Sequence, residues 1–231
     1  MAAVLSLTMT LTMVTPVFAE GETNITPAQT TEVVTPTPTP AQPPKNGLFV
    51  NESKTYCYKN GKLVKNKYGY KVKKKYYRID KKGVATLVST AEGLAGARLD
   101  KCGGDLKKAF KWSSTKIKYW GSVGKPKKGQ NQVEYYATYG FKNGKGDCYV
   151  MAATFCMMAK VKGYKNVKMV KGTVPQANGK NGAHGWCEIK IGKTVYAYDP
   201  KNTVSAEKIV CCHCGCKCKS ISSISTTPGV F

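Results

Sequence analysis

Cys148 stands in Gly146-Asp147-Cys148-Tyr149-Val150-Met151, where a Gly/Lys-rich turn runs into an apolar segment. Met151, Phe155, Met158 and Ala159 recur at i, i+4, i+7 and i+8, a spacing that predicts a helix with one buried face. Asp147 can cap that helix, because a short carboxylate accepts the N–H bonds that the first turn leaves unpaired. Gly163 can end it. Cys148 then lies in the first turn, where the aligned peptide dipoles favour negative charge, as a thiolate nucleophile requires.

Such a nucleophile needs a base, and the base needs an orienting group. The chain has two histidines. His213 lies among the cysteines of the tail. His184 opens the segment Ala183 to Ile191, which reads as one arm of a hairpin whose other arm is Lys193 to Asp199. A turn at Ile191-Gly192 sets His184 directly opposite Asp199. A turn at Gly192-Lys193 makes them diagonal neighbours on the same face. Either register brings a carboxylate to the imidazole. Trp186 is two residues beyond His184 on the same face and can roof a site there. Tyr149, next to Cys148, is a second candidate for contact with substrate.

Three segments in chain order carry a resemblance: Gly146 to Ala152, Gly182-Ala183-His184-Gly185-Trp186, and Tyr196-Ala197-Tyr198-Asp199-Pro200. Together they resemble the transglutaminase-like superfamily over roughly Leu106 to Pro200. The resemblance implies an α+β, papain-like fold in which a nucleophile helix packs on an antiparallel sheet. It implies Cys148 as nucleophile, His184 as general base and then acid, and Asp199 as orienter. The implied reaction is attack on an amide, of a Gln side chain or a peptide, through a thioester that passes to water or an amine. No cofactor is implied. A peptidoglycan endopeptidase and a non-catalytic wall-binding protein with a retained triad are the alternatives.

The elements that must position these residues occupy the second half of the chain. Ser89 and Glu92 have capping-box spacing for a helix that Gly93 and Gly96 weaken. Asp105 can cap a helix whose Leu106, Ala109 and Phe110 share a face. Lys116 to Trp120 alternates like a short strand, and Gly121 to Gln132 is a Gly/Lys/Pro loop. Val133, Tyr136, Ala137, Gly140 and Phe141 have helical spacing, and Val167 to Val174 reads as a strand. These assign residues 89–210 to the catalytic candidate.

The first half reads differently. Residues 1–19 are apolar and end Val17-Phe18-Ala19, as a signal peptide cleaved after Ala19 would. Residues 20–46 are rich in Thr and Pro and read as a linker. In 47–88, Tyr56-Cys57-Tyr58 before Asn60-Gly61 and Tyr76-Tyr77 before Gly83 predict hairpins at a period near 20. This stretch resembles the cell-wall-binding repeats of secreted Gram-positive proteins, without the Trp that begins such units. The resemblance makes Tyr56, Tyr58, Tyr76 and Tyr77 candidate wall contacts.

Lys and Arg number 37 against 13 Asp and Glu, a formal net charge of +24. Such a charge attracts polyanions. With an export signal, the expected partners are anionic wall polymers and a protein or peptide substrate. No nucleic-acid motif is present, and no segment is long and apolar enough to span a bilayer. The expected location is outside the cell, at the wall. Five of the ten cysteines fall in residues 211–218. Cys212, Cys214, Cys216 and Cys218 alternate in a tail, 211–231, where C-x-C spacing is a weak metal signal beside disulfide exchange and cross-linking.

Overall fold

The computed structural model describes residues 42–175, 180–202, 204–208 and 222–223, the last two stretches as backbone only. The expected signal peptide, most of the linker and the Cys-rich run 211–218 lie outside the described residues.

Strands β1 (Gly47–Asn51), β2 (Lys54–Lys59) and β3 (Lys62–Leu63) form one antiparallel sheet. Asn60 and Gly61 turn β2 into β3 with φ of 52° and 75°, the pair of positive angles that a two-residue hairpin turn needs. Strands β4 (Lys67–Val72), β5 (Lys75–Ile79) and β6 (Ala85–Val88) form a second antiparallel sheet. Cys57, Tyr77, Ile79 and Ala85 fill a small core shared by the two.

Helix α1 (Thr90–Lys101) begins in the capping box: Ser89 accepts from the Glu92 N–H, and the Glu92 carboxylate accepts from the Ser89 N–H. Its glycines have a packing role that periodicity alone does not show. A Cβ on Gly96 would stand 2.2 Å from the Tyr68 carbonyl oxygen, and one on Gly69 would stand 2.3 Å from that of Gly93. Strand β4 therefore lies backbone to backbone on α1. Asp100 on α1 accepts the N–H groups of Tyr68 and Gly69 at 3.2 and 3.3 Å, so the strand's buried donors are paired.

Helices α2 (Leu106–Lys116) and α3 (Gln132–Asn143) follow, capped by Asp105 and Asn131. Between them β7 (Lys118–Tyr119) runs parallel to β8 (Lys145–Gly146), the two residues before the Asp147 cap. Helix α4 (Cys148–Lys162) corrects the expectation of one buried face. Twelve of its fifteen residues are buried. The cause is its position: α1, α2 and α3 pack on one side, and β9 (Val167–Pro175) and β10 (Asn181–Ile191) on the other. A helix surrounded in this way has no polar stripe to show.

The main sheet is antiparallel, in the order β12 (Val204–Lys208), β11 (Thr194–Asp199), β10, β9, β13 (Ser222–Ser223). Phe155 of α4 meets Phe110 of α2 edge-on at 5.3 Å and Tyr198 of β11 at 5.0 Å. Each such aromatic contact adds roughly 0.5–1.5 kcal/mol beyond its buried area. No helix among the described residues is long and apolar enough to cross a membrane.

Candidate active site

Three short-range rules place Cys148. Gly146 leads into the helix where a Cβ would meet the Val150 side chain at 2.6 Å. Asp147 accepts the Val150 N–H at 3.1 Å and caps the helix. The ladder to β7 fixes the approach, with the Trp120 N–H donating to the Gly146 carbonyl at 2.9 Å. Cys148 is thus buried in the first turn, and its own N–H is among those that a helix leaves without an intrahelical acceptor.

His184 and Asp199 come from the β10–β11 hairpin. Its register pairs Ile191 with Thr194 and Cys187 with Tyr198, so the turn is Gly192-Lys193. This decides between the two registers: His184 and Asp199 are diagonal neighbours, and direct opposition is excluded. The diagonal is short enough for a bond. His184 Nε2 donates to Asp199 Oδ2 at 2.7 Å, and both side chains are largely shielded from solvent. His184 is also hydrogen-bonded to Cys148. Because Asp199 occupies Nε2, Nδ1 is the nitrogen left for the thiol.

Burial opposes charge on His184. The hydrogen bonds to Asp199 and Cys148 and their charges outweigh it, raising its pKa to about 9. Asp199 is the mirror case. Burial opposes its ionisation, but the His184 bond and charge and the N–H groups of Asn202 hold it below the ordinary carboxylate range. The pair is an imidazolium–carboxylate at neutral pH.

Asn202 is a member of the site that the sequence reading missed. Its side-chain amide donates to Asp199 Oδ2 at 2.8 Å. The backbone N–H groups of Lys201 and Asn202 donate to Oδ1 at 3.1 and 3.2 Å. Asp199 is thereby fixed by an Asx-type turn, for which Asp199-Pro200 was the visible signal.

Trp186 is buried and lies flat beside His184, ring centroids 6.2 Å apart, with its indole N–H donating to Glu188 at 3.1 Å. Gly172 leaves it room, since a Cβ there would meet the indole at 2.6 Å. Gly185 does the same for Tyr149, whose ring would stand 2.5 Å from an added Cβ. Lys171, paired in register with Gly185, sits 4.9 Å over the Tyr149 ring and donates to Gln132 at 2.9 Å. Burial and the nearby Lys125 charge lower its pKa, while Asp147 works the other way. Tyr119, with its phenol near Cys148 and Asp147, is half exposed at the edge of the site.

The four candidate wall contacts lie on β2 and β5 of the two small sheets. Tyr77 is buried in the small core, and Tyr76 packs against α1 at Gly93. Tyr58 makes an edge contact with Phe49 at 6.2 Å, and Tyr56 bridges to Val84. Tyr56, Tyr58 and Tyr76 are partly exposed, and Tyr77 is buried. Among the described residues, no three His, Cys, Asp or Glu side chains are grouped to hold a metal. Cys212, Cys214, Cys216 and Cys218 lie outside them.

Residues 88–200, just under half of the chain, match the family model of the transglutaminase-like superfamily. The match spans Cys148, His184 and Asp199, so the mixed helix-and-sheet structure has a transglutaminase-like core, the type of fold that suggests a cysteine enzyme. No curated protein matches the chain. Among solved structures, the chain is similar to a "putative cysteine protease" from Cytophaga hutchinsonii. The identity is 12% and the TM-score 0.36, over 49% of this chain and 38% of that one. The likeness is too distant to carry weight, and the chain spans well under half the length of that protein.

Proposed function

We propose that the protein is a transglutaminase-like cysteine enzyme that breaks amide bonds, of a Gln side chain or a peptide, through a thioester. The carrying observation is the 2.7 Å bond from His184 to Asp199 at the start of the Cys148 helix. Nucleophile, base and orienter are then in one chain of hydrogen bonds, the arrangement that activates a thiol.

The steps follow from that geometry. The Cys148 sulfur adds to the amide carbonyl, and the Cys148 N–H faces the oxygen that becomes negative. The C–N bond breaks, its electron pair goes to nitrogen, and the His184 imidazolium supplies the proton for the leaving amine. Neutral His184 then takes a proton from water or an incoming amine as it attacks the thioester. The products are an acid or a new amide, with the thiol regenerated. Asp199, held by Asn202, keeps the imidazole in place and its charge compensated throughout.

Export and association with an anionic cell wall belong to the same reading. Their support is the apolar stretch 1–19, the Thr/Pro-rich stretch 20–46 and the net charge of +24. The test is to incubate the chain with a Gln-donor peptide and a fluorescent amine, and separately with purified peptidoglycan. Amine incorporation or deamidation that disappears in Cys148→Ala is the expected result. Muropeptide release would redirect the reading to an endopeptidase. Binding alone, or turnover surviving in Cys148→Ala, would overturn it.

A further inference from the structure

Two cations stand on either side of the Cys148 helix start, each seated on an aromatic ring. On one side Lys171 is 4.9 Å from the Tyr149 ring and 5.7 Å from that of Tyr136, and Gln132 orients its ammonium. Lys125, on the loop before α3, is close enough for its charge to act on Lys171. That loop is tied down, because Tyr135 and Tyr136 donate to the carbonyls of Val123 and Gly124 at 3.2 and 3.3 Å. On the other side Lys201, two residues after Asp199, is 4.9 Å from the Tyr119 ring. Trp120, 61% exposed, continues this edge, with Lys145 and Lys118 at 4.6 and 5.5 Å from its ring.

Like charges gathered around one site oppose one another unless an anion joins them. The two carboxylates at hand already have hydrogen-bond partners: Asp147, whose charge reaches Lys171, caps α4, and Asp199 binds His184. Among the described residues, neither Lys171, Lys201, Lys118 nor Lys145 is in an ion pair. A lysine kept for solubility moves freely in water. These are held at one edge by rings and by an amide oxygen, with exposed aromatic surface beside them.

We propose that the site at Cys148 selects an acidic peptide, with carboxylates flanking the reacting amide, Lys171 taking one and Lys201 the other. The aromatic rings beside each ammonium then cover the aliphatic part of the acidic side chain. This rests on the reading of Cys148 as the reacting thiol, but its test does not need turnover.

The test uses the 231-residue chain carrying Cys148→Ala and three fluorescent peptides with a central Gln flanked by Glu, by Ser or by Lys. Anisotropy titrations give their relative affinities. The acidic peptide should bind roughly tenfold tighter than the Ser peptide, the scale of one charge-assisted hydrogen bond. Lys171→Met should remove most of that advantage. Lys201→Glu, which changes an exposed side chain and keeps the backbone N–H to Asp199, should remove or invert it. Lys82→Glu, an equal charge change on the distant turn between β5 and β6, should leave the advantage in place. Equal binding of the acidic and Ser peptides would overturn the proposal. So would an advantage that survives Lys201→Glu, or that Lys82→Glu reduces as much, since attraction would then be a property of the whole basic surface. A Cys148 chain that binds acidic peptides but turns over none separates failure of the catalytic reading from failure of this one.

Discussion

At the level of single residues, the chemistry turns on which proton His184 holds. With its pKa at about 9, the resting imidazole is charged at neutral pH and is ready as the acid that expels the amine. Amide cleavage should therefore fall as pH rises through about 9. Asp199→Asn removes the charge that outweighs burial, so this basic limb should move to lower pH, and kcat should drop roughly 10²–10⁴-fold. A pH–rate profile of both proteins checks it; an unmoved limb would mean that Asp199 does not set the His184 charge. The same shifts act on stability. His184 is raised from 6.5, so its contribution is complete below pH 6.5 and is lost as pH climbs through about 9. Asp199 is lowered from 3.8, so its contribution is present above 3.8 and is lost as pH falls further. Denaturant midpoints should thus be highest between these limits as far as this pair is concerned, and Asp199→Asn should flatten the loss on the alkaline side.

At the level of elements, glycines decide how closely the catalytic strand and helix approach. Gly185 lets β10 press on Tyr149, and Gly172 makes room for Trp186. Gly185→Val would force the strand from the helix start. It should cost about 1–3 kcal/mol as an overpacked contact, read as a lowered denaturant midpoint. Activity should drop further than that loss explains, because His184 is the preceding residue. This bears on what the sequence disclosed. Asp147, Cys148, His184 and Asp199 were legible because caps, helical spacing and hairpin pairing are local rules. The register was narrowed to two options, since Gly192 can stand at either position of the turn, and only the ladder to β9 and β11 selects one. Lys171 was not legible: nothing local distinguishes it among 37 basic residues. Its role arises from Gln132, Tyr136 and Tyr149, which are distant or on other elements. The all-round burial of α4 was hidden for the same reason, because a stripe of Met, Phe and Ala reads alike with one packed face or several.

At the level of the whole molecule, the β4–β5–β6 sheet and the catalytic core meet along the glycine face of α1, and the β1–β2–β3 sheet packs on the former. Reading 47–88 and 89–210 as separate domains puts a boundary at the start of α1, yet β4 touches that helix through backbone. Gly93 and Gly96 have no side chains to fill the space if the strand is removed, and Asp100 would lose two N–H partners. Helix α1 also packs on α4, so looseness there reaches the helix that carries Cys148. A chain starting at Ser89 should consequently be less stable than one starting at Gln42, by about 2–4 kcal/mol for the lost apolar packing and the unpaired carboxylate. Thermal unfolding of the two chains compares them directly, and restoring 42–88 as a separate fragment should not recover the difference at micromolar concentration. Equal melting temperatures would mean that α1 is held by the helices alone. In that case the small sheets would be an appendage, free to serve a wall ligand without affecting the site.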